Sequence, residues 1–246
     1  MKKLLLLIVL SIPLLATAQN LKIAVAANAQ FVTNKLVEDF KKETGIDADL
    51  IVSSSGKLTT QIEQGAPFDV FLSADMKYPQ ELYEKGFTSN KPKKYAYGKL
   101  VIWTLKEETL SKGPVALTAP QFAKIAIGNP SLAPYGEAAI QALTKLKIYD
   151  QLKPKIVYGE SIAQVNQYLL SGAADAAFTA KSVVLDPSQQ TKGKWVEVDE
   201  HLYQPIAQGA VLLKPTPGKN FFDAQRFYSF LFSKQAKRIF TAYGYK

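Results

Sequence analysis

Residues 51–75 read IVSSSGKLTTQIEQGAPFDVFLSAD: three consecutive hydroxyls and a glycine precede an amphipathic run, and a second extended run ends in Ser-Ala-Asp. Serines in a row make poor strands and poor helix interiors, because their hydroxyls compete for backbone hydrogen bonds. Ser53, Ser54 and Ser55 therefore suit a junction between elements. The chain offers few other reactive groups. His201 is the only histidine, in the polar segment VDEHLYQP, and there is no cysteine. A Ser-His-Asp site could use His201, but a lone surface histidine is the plainer reading. One histidine without cysteine cannot build the usual zinc sets. SSGKLT is not a phosphate loop, since the first glycine of that motif falls at Ile51. Glu63, Asp69, Asp75 and Glu160 could supply a carboxylate pair for glycoside hydrolysis. Each also reads as an exposed helix residue, a strand-end residue or a cap, and no enzyme is expected.

What remains is a set of strand-to-helix junctions. Asn28 ends a first strand, Ser54 and Ser55 end a second, and NPSLAPYGEAA and YGESIAQ bring Tyr135, Ser161 and Ile162 to helix starts. A helix N-terminus offers free N–H groups and partial positive charge, which suits an anion. Each residue alone reads first as a cap; several junctions facing one cleft favour binding. A carboxylate ligand is usually held by a bidentate arginine. The two arginines, Arg226 and Arg238, both lie in the C-terminal helical region. A small, fully ionised oxyanion held by neutral donors fits better, because a protonated one would set its own donor against them.

The elements that position these groups follow from periodicity. LKIAVAA (21–27) is strand-like, and Val32, Leu36 and Phe40 make one helical face before Gly45. IDADLIVSS, then KLTTQIEQG with Leu58 and Ile62, then FDVFLSA, with Asp75 capping MKYPQELYEKG, continue a β-α-β-α-β-α pattern that implies a sheet of mostly parallel strands. A second β/α set begins at YAYGKLVIWTL. Thr118-x-x-Gln121 and Ser161-x-x-Gln164 read as capping boxes at helix starts. QPIAQGAVLL is a further strand, and residues 221–245 read as a helical pair. Two α/β lobes are expected, 19–98 plus 209–246 and 99–208, joined by crossing strands near 99–105 and 206–213.

MKKLLLLIVLSIPLLATAQ has the basic start, apolar core and small-residue cleavage site of a signal peptide over residues 1–18. Its apolar run is too short to span a membrane. Without cysteine there is no disulfide framework and no lipid-anchoring thiol, so the periplasm is the expected compartment. The formal charge of +9 falls to about +7 once Lys2 and Lys3 are removed. Those charges are scattered lysines, not the clustered Arg, Lys and aromatic face of a nucleic-acid binder. With 47% hydrophobic residues, the chain is no disordered protein.

VAANAQF, SSSGKLTTQIEQGAPFDVFLSAD, YAYGKLVIWT, IGNPSLAPYGEAA and the closing YGY resemble, in order along the mature chain, the periplasmic molybdate-binding proteins of molybdate ABC transporters. The resemblance implies a class II periplasmic binding protein fold, a monomer without cofactor, and molybdate or tungstate held without charged side chains for delivery to a membrane permease. By position it implies ligation by Asn28 next to Ala27, by Ser55 with Ser54 as its register alternative, by Tyr135, and by the Ile162 backbone N–H. These residues would meet the metal only through oxyanion oxygens. Two positions depart from the pattern. Ala27 offers no hydroxyl where some relatives have threonine, and AAFTAKS, with Thr179, lacks a tyrosine that some members carry, so that Tyr135 supplies the hydroxyl instead. A receptor for sulfate or phosphate, a secreted glycan hydrolase and a basic adhesive protein for polyanions are the alternatives.

Overall fold

The computed structural model describes residues 20–107, 110–216 and 221–246; the expected signal peptide lies outside them. The order is β1 (Leu21–Ala26), α1 (Gln30–Thr44), β2 (Ala48–Ser53), α2 (Ser55–Glu63), β3 (Val70–Ser73), α3 (Lys77–Glu84) and β4 (Lys93–Gly98). Then come β5 (Leu100–Thr104), β6 (Ile125–Gly128), α4 (Pro134–Lys145), α5 (Tyr149–Leu152), β7 (Ile156–Gly159), α6 (Ile162–Leu170), β8 (Ala176–Ala180), α7 (Lys181–Val184) and β9 (Lys194–Glu197). The chain closes with β10 (Ile206–Leu212), α8 (Phe221–Phe230) and α9 (Lys234–Ala242).

The described strands form two five-stranded sheets with the same plan, β2-β1-β3-β10-β4 and β7-β6-β8-β5-β9. In each, one strand opposes the other four: β10 is antiparallel to β3 and β4, and β5 to β8 and β9. The reversed strands are the two expected to cross between lobes, since each is entered from the opposite sheet. Neither is shared between sheets. The chain passes over at Lys99, between β4 and β5, and again through residues 198–205.

Apolar faces explain the layers. Leu36 and Phe40 of α1 pack with Ile23, Val25, Val70 and Leu72 on one side of the first sheet, where α8 and α9 add Phe227, Phe230 and Phe240. Phe40 and Phe227 meet edge-on at 5.2 Å, a favoured aromatic geometry. Leu58, Ile62 and Leu82 cover the other side against Ala24, Phe71 and Val211. The second sheet buries Trp103, Ile127, Phe178 and Leu143 in its own core.

One predicted helix start is absent. Thr118 ends a 3-10 helix, Gly113–Thr118, and its hydroxyl donates to the Val115 carbonyl at 2.9 Å. Only residues 119–124 separate it from β6, too few for the helix its spacing with Gln121 suggests.

Candidate functional site

Strand register brings the junctions together. Ala26 lies opposite Ser53 and Val25 opposite Leu72, so β1, β2 and β3 end level. Gly128 lies opposite Gly159, which does the same for β6 and β7. The level carboxyl ends of open α/β sheets are where ligands bind. Between the two sheets Ala26, Ala27, Asn28, Ser54, Ser55, Ala74, Ala133, Pro134, Tyr135 and Ile162 surround one small cavity with room of about 10 Å³. That is about the space of one water, far below the roughly 300–1,000 Å³ of sites for drug-sized ligands, so only a small group is accommodated between these walls. No charged side chain lines the cavity.

All six expected site residues line this cavity, and each is engaged differently. Asn28 lies in a 3-10 turn (Ala27–Ala29) set between β1 and α1. Both hydrogens of its side-chain amide are used. Gln208 Nε2 donates to the carbonyls of Ala74 (3.1 Å) and Ile206 (3.3 Å), which turns Gln208 Oε1 toward Asn28. Asn28 Nδ2 then donates to Gln208 Oε1 at 2.7 Å and to the Tyr245 hydroxyl at 3.1 Å, consuming both its hydrogens. Ser182 Oγ donates to the Asn28 carbonyl at 2.6 Å and receives the Tyr245 hydroxyl at 3.2 Å.

The two serines divide their roles. Ser54 is the N-cap of α2, its Oγ accepting from Lys57 N at 3.3 Å. Ser55 Oγ accepts from Ala74 N at 3.0 Å, which leaves its own proton to give. Ser53 stays in β2. Ser161 caps α6 by accepting from Gln164 N, while Gln164 Oε1 accepts from Glu160 N at 2.6 Å, close to the expected capping box. Among the described residues, no hydrogen bond within the protein takes up the N–H of Ser55 or of Ile162. The N-termini of α2, α4 and α6 thus meet at the cavity beside the turn that leads into α1, and their dipoles add positive potential without a formal charge.

Tyr135 stands apart. It follows Pro134 in the first turn of α4 and is 1% exposed. Among the described residues, its hydroxyl is the buried side-chain polar atom left without a hydrogen-bond partner. Such an atom costs about 1–3 kcal/mol. Burial pushes its phenol well above the ordinary tyrosine value, so it remains a protonated donor. Asn28 lies near enough to oppose that rise, but its amide hydrogens already belong to Gln208 and Tyr245.

Other candidates fall elsewhere. Thr179 is buried, yet its hydroxyl donates to Asn166 Oδ1 at 2.6 Å and does not line the cavity. The four carboxylates are structural. Glu63 pairs with Lys85, Asp69 accepts from Lys22 N at 2.7 Å, Asp75 accepts from Tyr78 N at the start of α3, and Glu160 pairs with Lys57. His201 sits exposed in a 3-10 turn. Ala26, Ala74, Ala133 and Pro134 complete the wall without having been expected, since small apolar residues carry no chemical signature in a sequence.

Besides the Ser182–Asn28 bond, further contacts bridge the two sheets' elements around this cavity. Gly56 N donates to Leu132 O at 3.0 Å, the Tyr78 hydroxyl donates to Ser131 O at 2.9 Å, and Lys57 pairs with Glu160. These contacts hold the two walls of the cavity against each other.

Residues 21–246 match the family described as bacterial extracellular solute-binding protein. The chain is 38% identical over 231 residues to the molybdate-binding protein ModA of Azotobacter vinelandii, covering 94% of this chain and 91% of that one. It is also 38% identical over 240 residues to ModA of Rhodobacter capsulatus, covering 97% and 92%. The solved structure of the Azotobacter vinelandii periplasmic molybdate-binding protein superposes with a TM-score of 0.86 at 35% identity, over 92% of this chain and 99% of that chain. This chain belongs to the bacterial extracellular solute-binding protein family.

Proposed function

We propose that this protein binds molybdate or tungstate in the periplasm and delivers it to the permease of an ABC transporter, without catalysing a reaction. The observation that carries the reading is the small cavity between the two sheets whose donors are all neutral, with the Tyr135 hydroxyl buried and unpartnered at its wall. A tetrahedral dianion supplies what that hydroxyl lacks. The 38% identity to two proteins named for molybdate binding supports the choice of anion.

Ser55 gives the anion its hydroxyl proton and its N–H, Ile162 its N–H, and Tyr135 its phenol proton. Asn28 contributes through its main-chain N–H, because its side-chain hydrogens are spent on Gln208 and Tyr245. Ala27 and Ser54 form wall, the latter with its hydroxyl turned to Lys57 N. Donors alone favour the fully deprotonated oxyanion, and cavity size separates molybdate and tungstate from the smaller sulfate. Contacts of the Gly56–Leu132 kind close the lobes on the ion, and the closed shape is what a permease would recognise.

Calorimetric titration of the purified protein with molybdate, tungstate, sulfate and phosphate tests this. Saturable one-to-one binding of the first two, with sulfate and phosphate much weaker, is expected. Sulfate binding as tightly as molybdate would overturn the choice of anion.

A further inference from the structure

We propose that Gly98 determines anion size selectivity, by leaving the room that the Tyr135 hydroxyl occupies at the cavity wall; this deepens the oxyanion reading and rests on it. Gly98 ends β4, opposite Ile206 of β10, at the point where the chain leaves the first sheet. Its backbone is not in the left-handed region, so chain conformation does not call for glycine, and glycine inside a strand is unfavourable. The requirement is steric. A Cβ at position 98 would lie 2.0 Å from the Tyr135 hydroxyl oxygen, 3.0 Å from the ring carbon that bears it and 2.9 Å from Gln208 Nε2.

Something must then move, and the neighbours differ in freedom. Gln208 is held on both sides, donating to Ala74 and Ile206 and accepting from Asn28 at 2.7 Å and from the Tyr95 hydroxyl at 3.4 Å. The first turn of α4 is seated backbone to backbone on β6, where a Cβ at Gly136 would lie 1.9 Å from the Gly128 carbonyl oxygen. The Tyr135 hydroxyl alone has no bond to break, and the space its side chain borders is the anion cavity. A methyl group at position 98 therefore drives the phenol oxygen into the volume that the oxyanion occupies. The larger tetrahedra, molybdate and tungstate, lose more from that intrusion than sulfate does. Glycine at 98 and tyrosine at 135 act as one unit that sets the depth of the site.

The test measures molybdate and sulfate affinities calorimetrically, and melting temperatures, for the wild type, Gly98→Ala, Tyr135→Phe and the double variant. Gly98→Ala is expected to weaken molybdate about tenfold or more while sulfate changes far less, lowering the molybdate-to-sulfate ratio by about tenfold. In the Tyr135→Phe background the atom at 2.0 Å is gone, and the same substitution should alter the ratio by less than about threefold. An unchanged ratio in Gly98→Ala, or equal losses in both backgrounds, overturns the proposal. If Gly98→Ala fails to fold, restored folding in the double variant supports the steric coupling, and failure in both backgrounds overturns it. A wild-type protein that binds none of the anions refutes the oxyanion reading instead, and the coupling of positions 98 and 135 is then still read from the four melting temperatures.

Discussion

On the wall that the first sheet contributes, the polar side chains beside the cavity are already tied into the protein's own hydrogen bonds. Asn28 gives both amide hydrogens to Gln208 and Tyr245, and the hydroxyls of Ser54 and Ser55 accept from Lys57 N and Ala74 N. On the wall from the second sheet, the Tyr135 hydroxyl has no partner, and Ile162 offers a helix-opening N–H. One wall is therefore held in place by the protein's own hydrogen bonds, with the Ser55 proton still to give, while the Tyr135 hydroxyl of the other gains a partner only when an acceptor lies between them. A buried donor left unsatisfied is costly, so an anion that satisfied it would stabilise this apposed arrangement of the two walls.

Four substitutions probe that asymmetry. Gln208→Leu should have the largest effect, because it strands a hydrogen of Asn28 and the Ala74 carbonyl in a buried network. A stability loss of about 3 kcal/mol is expected in urea denaturation, with or without molybdate; an unaltered midpoint would show that the first wall does not depend on this hub. Next come Tyr135→Phe and Ser55→Ala, each expected to weaken molybdate by about 1.5–3 kcal/mol. They should part company in melting curves of the anion-free protein. Ser55→Ala removes the acceptor of Ala74 N and lowers stability, whereas Tyr135→Phe removes an unsatisfied hydroxyl and leaves stability equal or higher. Parallel losses in both would erase the distinction between the walls. The smallest effect belongs to Lys57→Ala, which removes an ion pair whose side chains are 41% and 60% exposed. Exposed pairs contribute little and are screened by salt, so affinity should fall no more than about threefold, and the difference should vanish at high salt in calorimetry. A tenfold loss would mean that closure depends on charge rather than on neutral donors.

Local signals made parts of this legible in the sequence. Ser161 and Ile162 were readable because a cap and its helix are contained in a few consecutive residues, and the strand-helix alternation was readable because apolar periodicity is local too. Thr118 and Gln121 carry the same spacing as Ser161 and Gln164, yet no helix follows, since the distance to β6 and not the motif decides. Asn28 was correctly placed at a junction, but its side chain could not be read as already spent. Its partners, Gln208 and Tyr245, stand 180 and 217 residues away in the chain. Gly98 looked like any glycine in YAYGK, because its meaning is the position of an atom on α4.

The sequence by itself determined that four strand ends would carry hydroxyls or helix-opening amides, that no charged group would be needed at them, and that the chain would form two α/β lobes. These follow from residue type and short-range period. Only the tertiary structure decided which of those donors remain free and how much space they enclose. Hydrogen-bond capacity is finite and is consumed by whichever groups folding brings near. That makes it a property of the assembled neighbours and not of any one residue along the chain.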